Sequence, residues 1–244
     1  MIPLITVANR GYLELLINFY NTLKAVAPHR LNQLTVFTYD PELVKVIQND
    51  HKELAKHTQF LRYPSLSVRS NYTLEGRPVV SEAIPFGKGY WNLVTRYKLL
   101  AIWSLLTELS NEGVFYCDPD IAFVRDPFEG LTVNAQLQIQ QGNPYCSGVM
   151  YVPNEREYRQ LFDPIAWSKS KLNDEEYLTQ QMNALKLPIS VLDLDIFPNG
   201  LVWNLPNKAE ELISTKKCVL FHFNFIKTLN SKIEKMKELK LFPQ

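Results

Sequence analysis

The sequence predicts an α/β domain built on a Rossmann-like, mostly parallel sheet flanked by helices. Three observations carry that expectation. The first 60 residues alternate short apolar runs with helical patterns, the order that gives parallel strands with right-handed crossovers. A long stretch from Tyr90 to Leu109 then repeats apolar residues on nearly every side from Leu99 onward, as a helix buried against a sheet does. It leads into Val114-Phe115-Tyr116-Cys117, an apolar run of strand length. With 244 residues, 46% hydrophobic and 12% aromatic, the chain can bury a large core, and residues 1–244 are expected to form one domain.

The elements follow in order. Pro3 to Ala8 forms the opening strand, and Asn9-Arg10-Gly11 turns into a helix with apolar positions at Leu13, Leu16, Ile17, Tyr20 and Leu23. Leu34 to Tyr39 is the next strand. Asp40-Pro41 caps and starts a helix to Lys56, since aspartate suits an N-cap and proline the first helical position. Gln59 to Tyr63 offers a third strand. Ligands of such sheets sit beyond the carboxyl ends of the strands, which puts Ala8, Asn9 and Tyr39 on the binding edge; a cap and a solvated charge are the plainer roles for Asn9 and Arg10.

Residues 64–90 scatter proline and glycine among polar residues, and so long a connection is expected to be a functional loop that closes over substrate. In the helix that follows, Arg96 and Lys98 sit near a positive dipole end, which calls for an anionic partner. A phosphate or a carboxylate of the Asp118/Asp120 pair would serve, with a surface salt bridge as the default for Lys98.

The stretch around Cys117-Asp118-Pro119-Asp120 organises the chain. Successive strand residues point to opposite faces, so Asp118 and Asp120 share one side, and Pro119 gives up a ladder donor, which fits a strand end. Two hard carboxylates facing one way suit Mg2+ or Mn2+; a solvated turn is the plain reading. A second short strand closes at Arg125-Asp126-Pro127-Phe128.

Gln136 to Gln140 alternates as a strand, and Cys146 to Val152 is another. Ser147-Gly148 inside it marks either a close approach of backbone and ligand or a bulge. Asn154 with Glu157, and Asn173 with Glu176, have capping-box spacing for two helices. Val191 to Asp195 reads as a strand ending at the Phe197-Pro198-Asn199-Gly200 turn. Cys218 to Lys227 is a buried strand whose one histidine, His222, is by default a core residue, and Ser231 to Lys240 is an amphipathic terminal helix. The cysteines Cys117, Cys146 and Cys218 lie in apolar strands and are expected as buried thiols. Aromatic residues in the 64–90 loop and around Trp203 either stack on a ligand or merely pack.

A formal net charge of +1, with no basic tract, gives no reason to expect nucleic acid. No run is apolar for long enough to span a bilayer, and a signal-peptide pattern is lacking. If the chain is whole, a soluble, cytoplasmic protein is expected.

In this order, the Asp118-Pro119-Asp120 strand end, Arg125-Asp126-Pro127-Phe128, Cys146-Ser147-Gly148-Val149-Met150, Phe197-Pro198-Asn199-Gly200 and His222-Phe223-Asn224 resemble the nucleotide-diphospho-sugar transferase family. The likeness runs from Ile5 to about Met236. That family comprises GT-A glycosyltransferases, including plant cell-wall xylosyl- and arabinosyltransferases. The resemblance implies a GT-A fold, a nucleotide-sugar donor such as a UDP-sugar, a glycan or other hydroxyl acceptor, and a retaining outcome. It implies Mn2+ or Mg2+ held by Asp118, Asp120 and His222. Ala8 and Asn9 would lie along the nucleoside, Arg96 near the phosphates or sugar, and Lys227 or Lys232 on the leaving diphosphate. Asp174-Glu175 matches a helix start whose second residue faces the anomeric carbon, so Glu175 would stabilise the cationic sugar or attack it. Residues 1–130 become the nucleotide-binding half and 131–244 the acceptor and catalytic half. Pro119, Glu175 and Thr228 depart from the commoner aliphatic, glutamine and glycine.

Two rivals remain from sequence. A phosphohydrolase can also place two aspartates after a buried strand, although about a hundred residues precede Asp118 here. A non-catalytic sugar-nucleotide or glycan-binding domain would keep the fold without the chemistry.

Overall fold

The computed structural model describes residues 1–60, 91–108, 112–133 and 136–242. The loop expected over 64–90 lies outside them. Its strands are β1 (Leu4–Val7), β2 (Leu34–Thr38), β3 (Thr58–Phe60), β4 (Gly113–Cys117), β5 (Ile121–Phe123), β6 (Leu137–Gln140), β7 (Cys146–Pro153), β8 (Ile189–Leu192) and β9 (Leu220–His222). Seven of them form one sheet in the order β3-β2-β1-β4-β7-β6-β8, while β5 and β9 make a separate two-stranded ribbon. Within the large sheet β7 alone is reversed, running antiparallel to β4 and β6. The remaining pairings are parallel, so the sheet is mixed and mostly parallel as expected.

Helices α1 (Leu13–Val26), α2 (Pro41–Asp50), α3 (Lys52–Ala55), α4 (Trp91–Glu108), α5 (Arg156–Arg159), α6 (Pro164–Ser168), α7 (Asp174–Leu185), α8 (Lys208–Ser214) and α9 (Leu229–Glu238) surround it. Strand side chains alternate between two cores. Ile5, Val7, Val114 and Tyr116 meet α4 and α7 on one face, while Leu4, Phe115 and Cys117 meet α1 and α2 on the other. Being covered on both sides is why these strands read as unbroken apolar runs. On α4, Leu99, Leu100, Ile102 and Leu106 are buried, each contributing roughly 1.5–3 kcal/mol by leaving water. The ribbon, α8 and α9 share a third core with Leu15 of α1. All three cysteines are free and buried.

Local chemistry fixes several boundaries. The Asp40 side chain accepts from Glu42 N at 2.9 Å with Pro41 at the first helical position. The helix expected to reach Lys56 instead breaks at His51 (φ −133°, ψ 58°), after Asn49 and Asp50, which favour turns over helix interiors. The Asn173–Glu176 capping box forms in both halves. The one expected at Asn154 does not: Asn154 N donates to Glu112 O at 3.0 Å, extending the β4/β7 ladder, and α5 begins at Arg156 with Glu155 before it. The strand expected over 218–227 is regular only from Leu220 to His222, with further backbone bonds at Val219 and Phe223 on either side. Thr228 then caps α9, its Oγ1 accepting from Ser231 N at 3.1 Å. Among the described residues no helix is long and apolar enough to cross a membrane.

Candidate active site

Backbone pairing brings the site together. Asp118 N still donates to Gly148 O at 2.7 Å, carrying the β4/β7 ladder one residue past the strand. Pro119 and Asp120 then form the turn into β5. Because Ile121 of β5 pairs with His222 of β9, and Phe223 N donates to Asp120 O at 3.0 Å, the ribbon delivers the imidazole beside both aspartates. His222 Nε2 lies 3.3 Å from Asp120 Oδ1 and 3.7 Å from Asp118 Oδ2. One ligand atom from each of the three residues falls within 4.8 Å of the others.

Two lysines neutralise these carboxylates. Lys98 is only 7% exposed, and its Nζ sits 3.0 Å from Asp118 Oδ1, 3.0 Å from Asp174 Oδ2 and 3.0 Å from Ser147 Oγ. Burial alone would pull its pKa down, but Asp118 and Asp174 override it and hold it well above the ordinary lysine value. The surface salt bridge taken as the default for Lys98 is therefore corrected: the first turns of α4 face the exit of β4, and its partners are the buried Asp174 and the half-buried Asp118. Lys232 Nζ pairs with Asp120. Burial would raise the Asp120 pKa, yet the Lys232 ammonium beside it holds it well below the usual carboxylate range.

Asp174 and Glu175 open α7. Ser147 Oγ bonds Asp174, and Ser147 N approaches Glu175 Oε1 at 3.4 Å. Burial, then Asp174, pushes the Glu175 pKa up to about 7.

A cavity of about 500 Å³ joins these groups. Ala8, Asn9 and Tyr39 line it from the carboxyl ends of β1 and β2, with Asp118, Asp120, His222, Asp174, Glu175, Lys227 and Lys232 along the remaining wall. Three residues singled out from sequence are absent from its lining. Arg96 turns its guanidinium to the carbonyls of Ser170, at 2.8 Å, and Leu172, so it pins the loop before α7 instead of facing the cavity. Ser147 is fully buried behind Asp174 and Lys98. A Cβ on Gly148 would come within 2.0 Å of His222 Cε1, so this glycine makes room for the imidazole.

Lys98 and Asn224 also line the cavity, together with Tyr12 and Phe225, which sequence reasoning passed over. For Lys98 the expected carboxylate partner, Asp118, is the one found. Phe225 is 63% exposed with a left-handed backbone (φ 61°), a costly conformation for a bulky residue. Trp203 packs on Phe221 and Phe223, at centroid distances of 5.0 and 5.6 Å, the second of its two expected roles.

The three-residue cluster fits a divalent cation. Its donors are two carboxylates and one imidazole, a set suited to Mg2+ or Mn2+, and a positive charge between them would relieve the repulsion of neighbouring carboxylates.

A mixed, mostly parallel sheet carrying an aspartate pair at the end of a central strand matches the fold of the GT-A glycosyltransferases. Residues 29–236 match the model of the nucleotide-diphospho-sugar transferase family, and the chain belongs to that family, as a glycosyltransferase. Its fold is similar to that of the galactosyltransferase LgtC solved with donor and acceptor sugar analogues, at 12% identity over 98% of this chain and 95% of that one, with a TM-score of 0.57. Mouse xyloside xylosyltransferase 1 in its apo form is 12% identical over 93% of this chain and 99% of its own, with a TM-score of 0.56. A glycosyltransferase involved in glycosylating the major capsid of PBCV-1 gives 10% identity, 96% and 99% coverage, and a TM-score of 0.54. At such identities the likeness is one of fold. No curated protein matched the sequence significantly.

Proposed function

We propose that this enzyme transfers a glycosyl group from a nucleoside-diphosphate sugar, a UDP-sugar first among them, to a hydroxyl of a glycan or other acceptor, with retention at the anomeric carbon. Asp118, Asp120 and His222 would hold Mn2+ or Mg2+. The observation that carries the reading is the convergence of these three side chains with Glu175 on one cavity.

Each group has a physical task. Ala8, Asn9 and Tyr39 bind the nucleoside end, and residues 1–130 supply most of that wall. Lys227 and Lys232 set positive charge where negative charge grows on the departing diphosphate. A divalent cation, when bound, supplies Lewis-acid stabilisation of the same charge. Lys98 holds the carboxylates of Asp118 and Asp174 in position. Glu175, ionised, stabilises positive charge on the sugar ring, and the exposed face of Phe225 meets the acceptor.

Two measurements test this. In a thermal-shift panel of sugar nucleotides with and without Mn2+, the midpoint is expected to rise by roughly 5 °C or more only when donor and metal are both present near a hundred times Kd. Donor binding that ignores metal sinks the metal reading. Binding without any turnover across acceptors and water leaves the non-catalytic alternative in place.

Glu175 adds a pH signature. Its pKa of about 7 lies above its ordinary value, so ionising it in the fold costs stability. That cost is absent at low pH, where folded and unfolded states are both protonated, grows as pH rises from the unfolded value, and is complete above about 7. Glu175→Gln is expected to raise the melting midpoint of the metal-free protein at pH 8 and leave it unchanged near pH 4. The turnover limb that rises through neutral pH in the wild type should vanish in the variant. A variant that keeps that limb removes Glu175 from the role.

A further inference from the structure

We propose that Gln140 is a positioning residue that fixes the His222 proton on Nδ1, so that Nε2 faces the Asp118/Asp120 pair as a lone-pair donor; this rests on the metal reading above.

Gln140 ends β6 and is fully buried. A carboxamide in that position must satisfy both its amide and its oxygen within the protein. Its Nε2 donates to the Phe197 carbonyl at 3.0 Å, and this settles which way the group faces. Turned over, it would set its own oxygen against that carbonyl, acceptor against acceptor. The oxygen therefore meets His222 Nδ1 at 2.8 Å. Since a carboxamide oxygen only accepts, Nδ1 must donate. The Cys146 thiol adds a second donor, its Sγ lying 3.5 Å from the same oxygen, and Asn224 Nδ2 approaches that sulfur at 3.2 Å.

The consequence appears at the other ring nitrogen. With the proton on Nδ1, a neutral imidazole presents a lone pair at Nε2, 3.3 Å from Asp120 Oδ1 and 3.7 Å from Asp118 Oδ2. Three electron-rich atoms then face one another, an arrangement that favours a cation between them. Gly148 completes the device, because the imidazole occupies the space of its missing side chain. Outer partners that set a ligand's tautomer commonly govern affinity by 10–100-fold.

The test compares wild type with Gln140→Met, which keeps the bulk and removes the acceptor. Free Mn2+ is measured by electron paramagnetic resonance during titration in the presence of UDP. The variant is expected to bind Mn2+ about 10–100-fold more weakly. The second readout is the imidazole 15N spectrum of the wild type loaded with Mg2+ and UDP, where Nδ1 should carry the proton. Wild-type binding with equal affinity in the variant overturns the role of Gln140 and leaves the metal reading intact. A proton found on Nε2 does the same, and decides the matter if the variant fails to fold. Wild type that binds no Mn2+ with UDP overturns the metal reading and the proposal with it.

Discussion

Asp120→Asn is expected to lower turnover of a nucleotide sugar by about a thousandfold or more at saturating Mn2+, with little change in the donor's nucleoside contacts. The substitution keeps the shape of the side chain and removes its charge. Asp120 is 6% exposed and faces His222 Nε2 at 3.3 Å on one side and Lys232 on the other. Its carboxylate is held ionised well below the usual range against the pull of burial, so it is a permanent negative charge wherever the enzyme works. A neutral amide offers a cation one weak donor and turns part of the leaving-group stabilisation off. Losing several kcal/mol of that stabilisation corresponds to about three powers of ten, at about 1.4 kcal/mol per tenfold. Steady-state kinetics with sugar nucleotide and acceptor, run beside Mn2+ titrations, would check it. Turnover within tenfold of wild type at saturating metal would sink the assignment, and undiminished wild-type activity in excess chelator would sink metal dependence altogether.

The sequence disclosed the groups that sit on short contiguous stretches and kept back those that depend on how elements pack. Asp118 and Asp120 were readable because strand alternation and Pro119 need only local geometry. Ala8, Asn9 and Tyr39 followed from the rule that parallel sheets bind at their carboxyl edge, and the cavity is lined by all three. His222 read as a core histidine by its surroundings, and only family likeness moved it to the metal; the ribbon pairing of Ile121 with His222 is a contact across a hundred residues. Lys98 and Arg96 share one helix two positions apart, so they point in different directions, and nothing local says which of them faces the end of β4. The structure gives that place to Lys98 and sends Arg96 to the carbonyls before α7. Gln140 had no local signal beyond polarity in a strand, since its role depends on Phe197 and His222 arriving from elsewhere.

The second large effect is on stability. Lys98→Met is expected to destabilise the metal-free protein by about 3–5 kcal/mol, the usual consequence of removing one partner from a buried charge cluster. Methionine matches the aliphatic stem, so packing along α4 changes little and the loss isolates the ammonium. Without it Asp118 and the buried Asp174, each 3.0 Å from Nζ in the wild type, face each other with no cation between them, and Ser147 loses a donor. The pH dependence follows from the sign of the lysine shift. A lysine held above its unfolded value contributes stability in full below that unfolded value, near 10.4, and loses it only as pH climbs through the folded one. The gap between wild type and variant should therefore stay constant from about pH 6 to about pH 9 on the lysine's account. Urea denaturation of both proteins across that range measures it. A difference under about 1 kcal/mol, the size expected for an exposed ion pair, would mean that Lys98 is solvated and does not hold Asp118 and Asp174 in place beside the cavity.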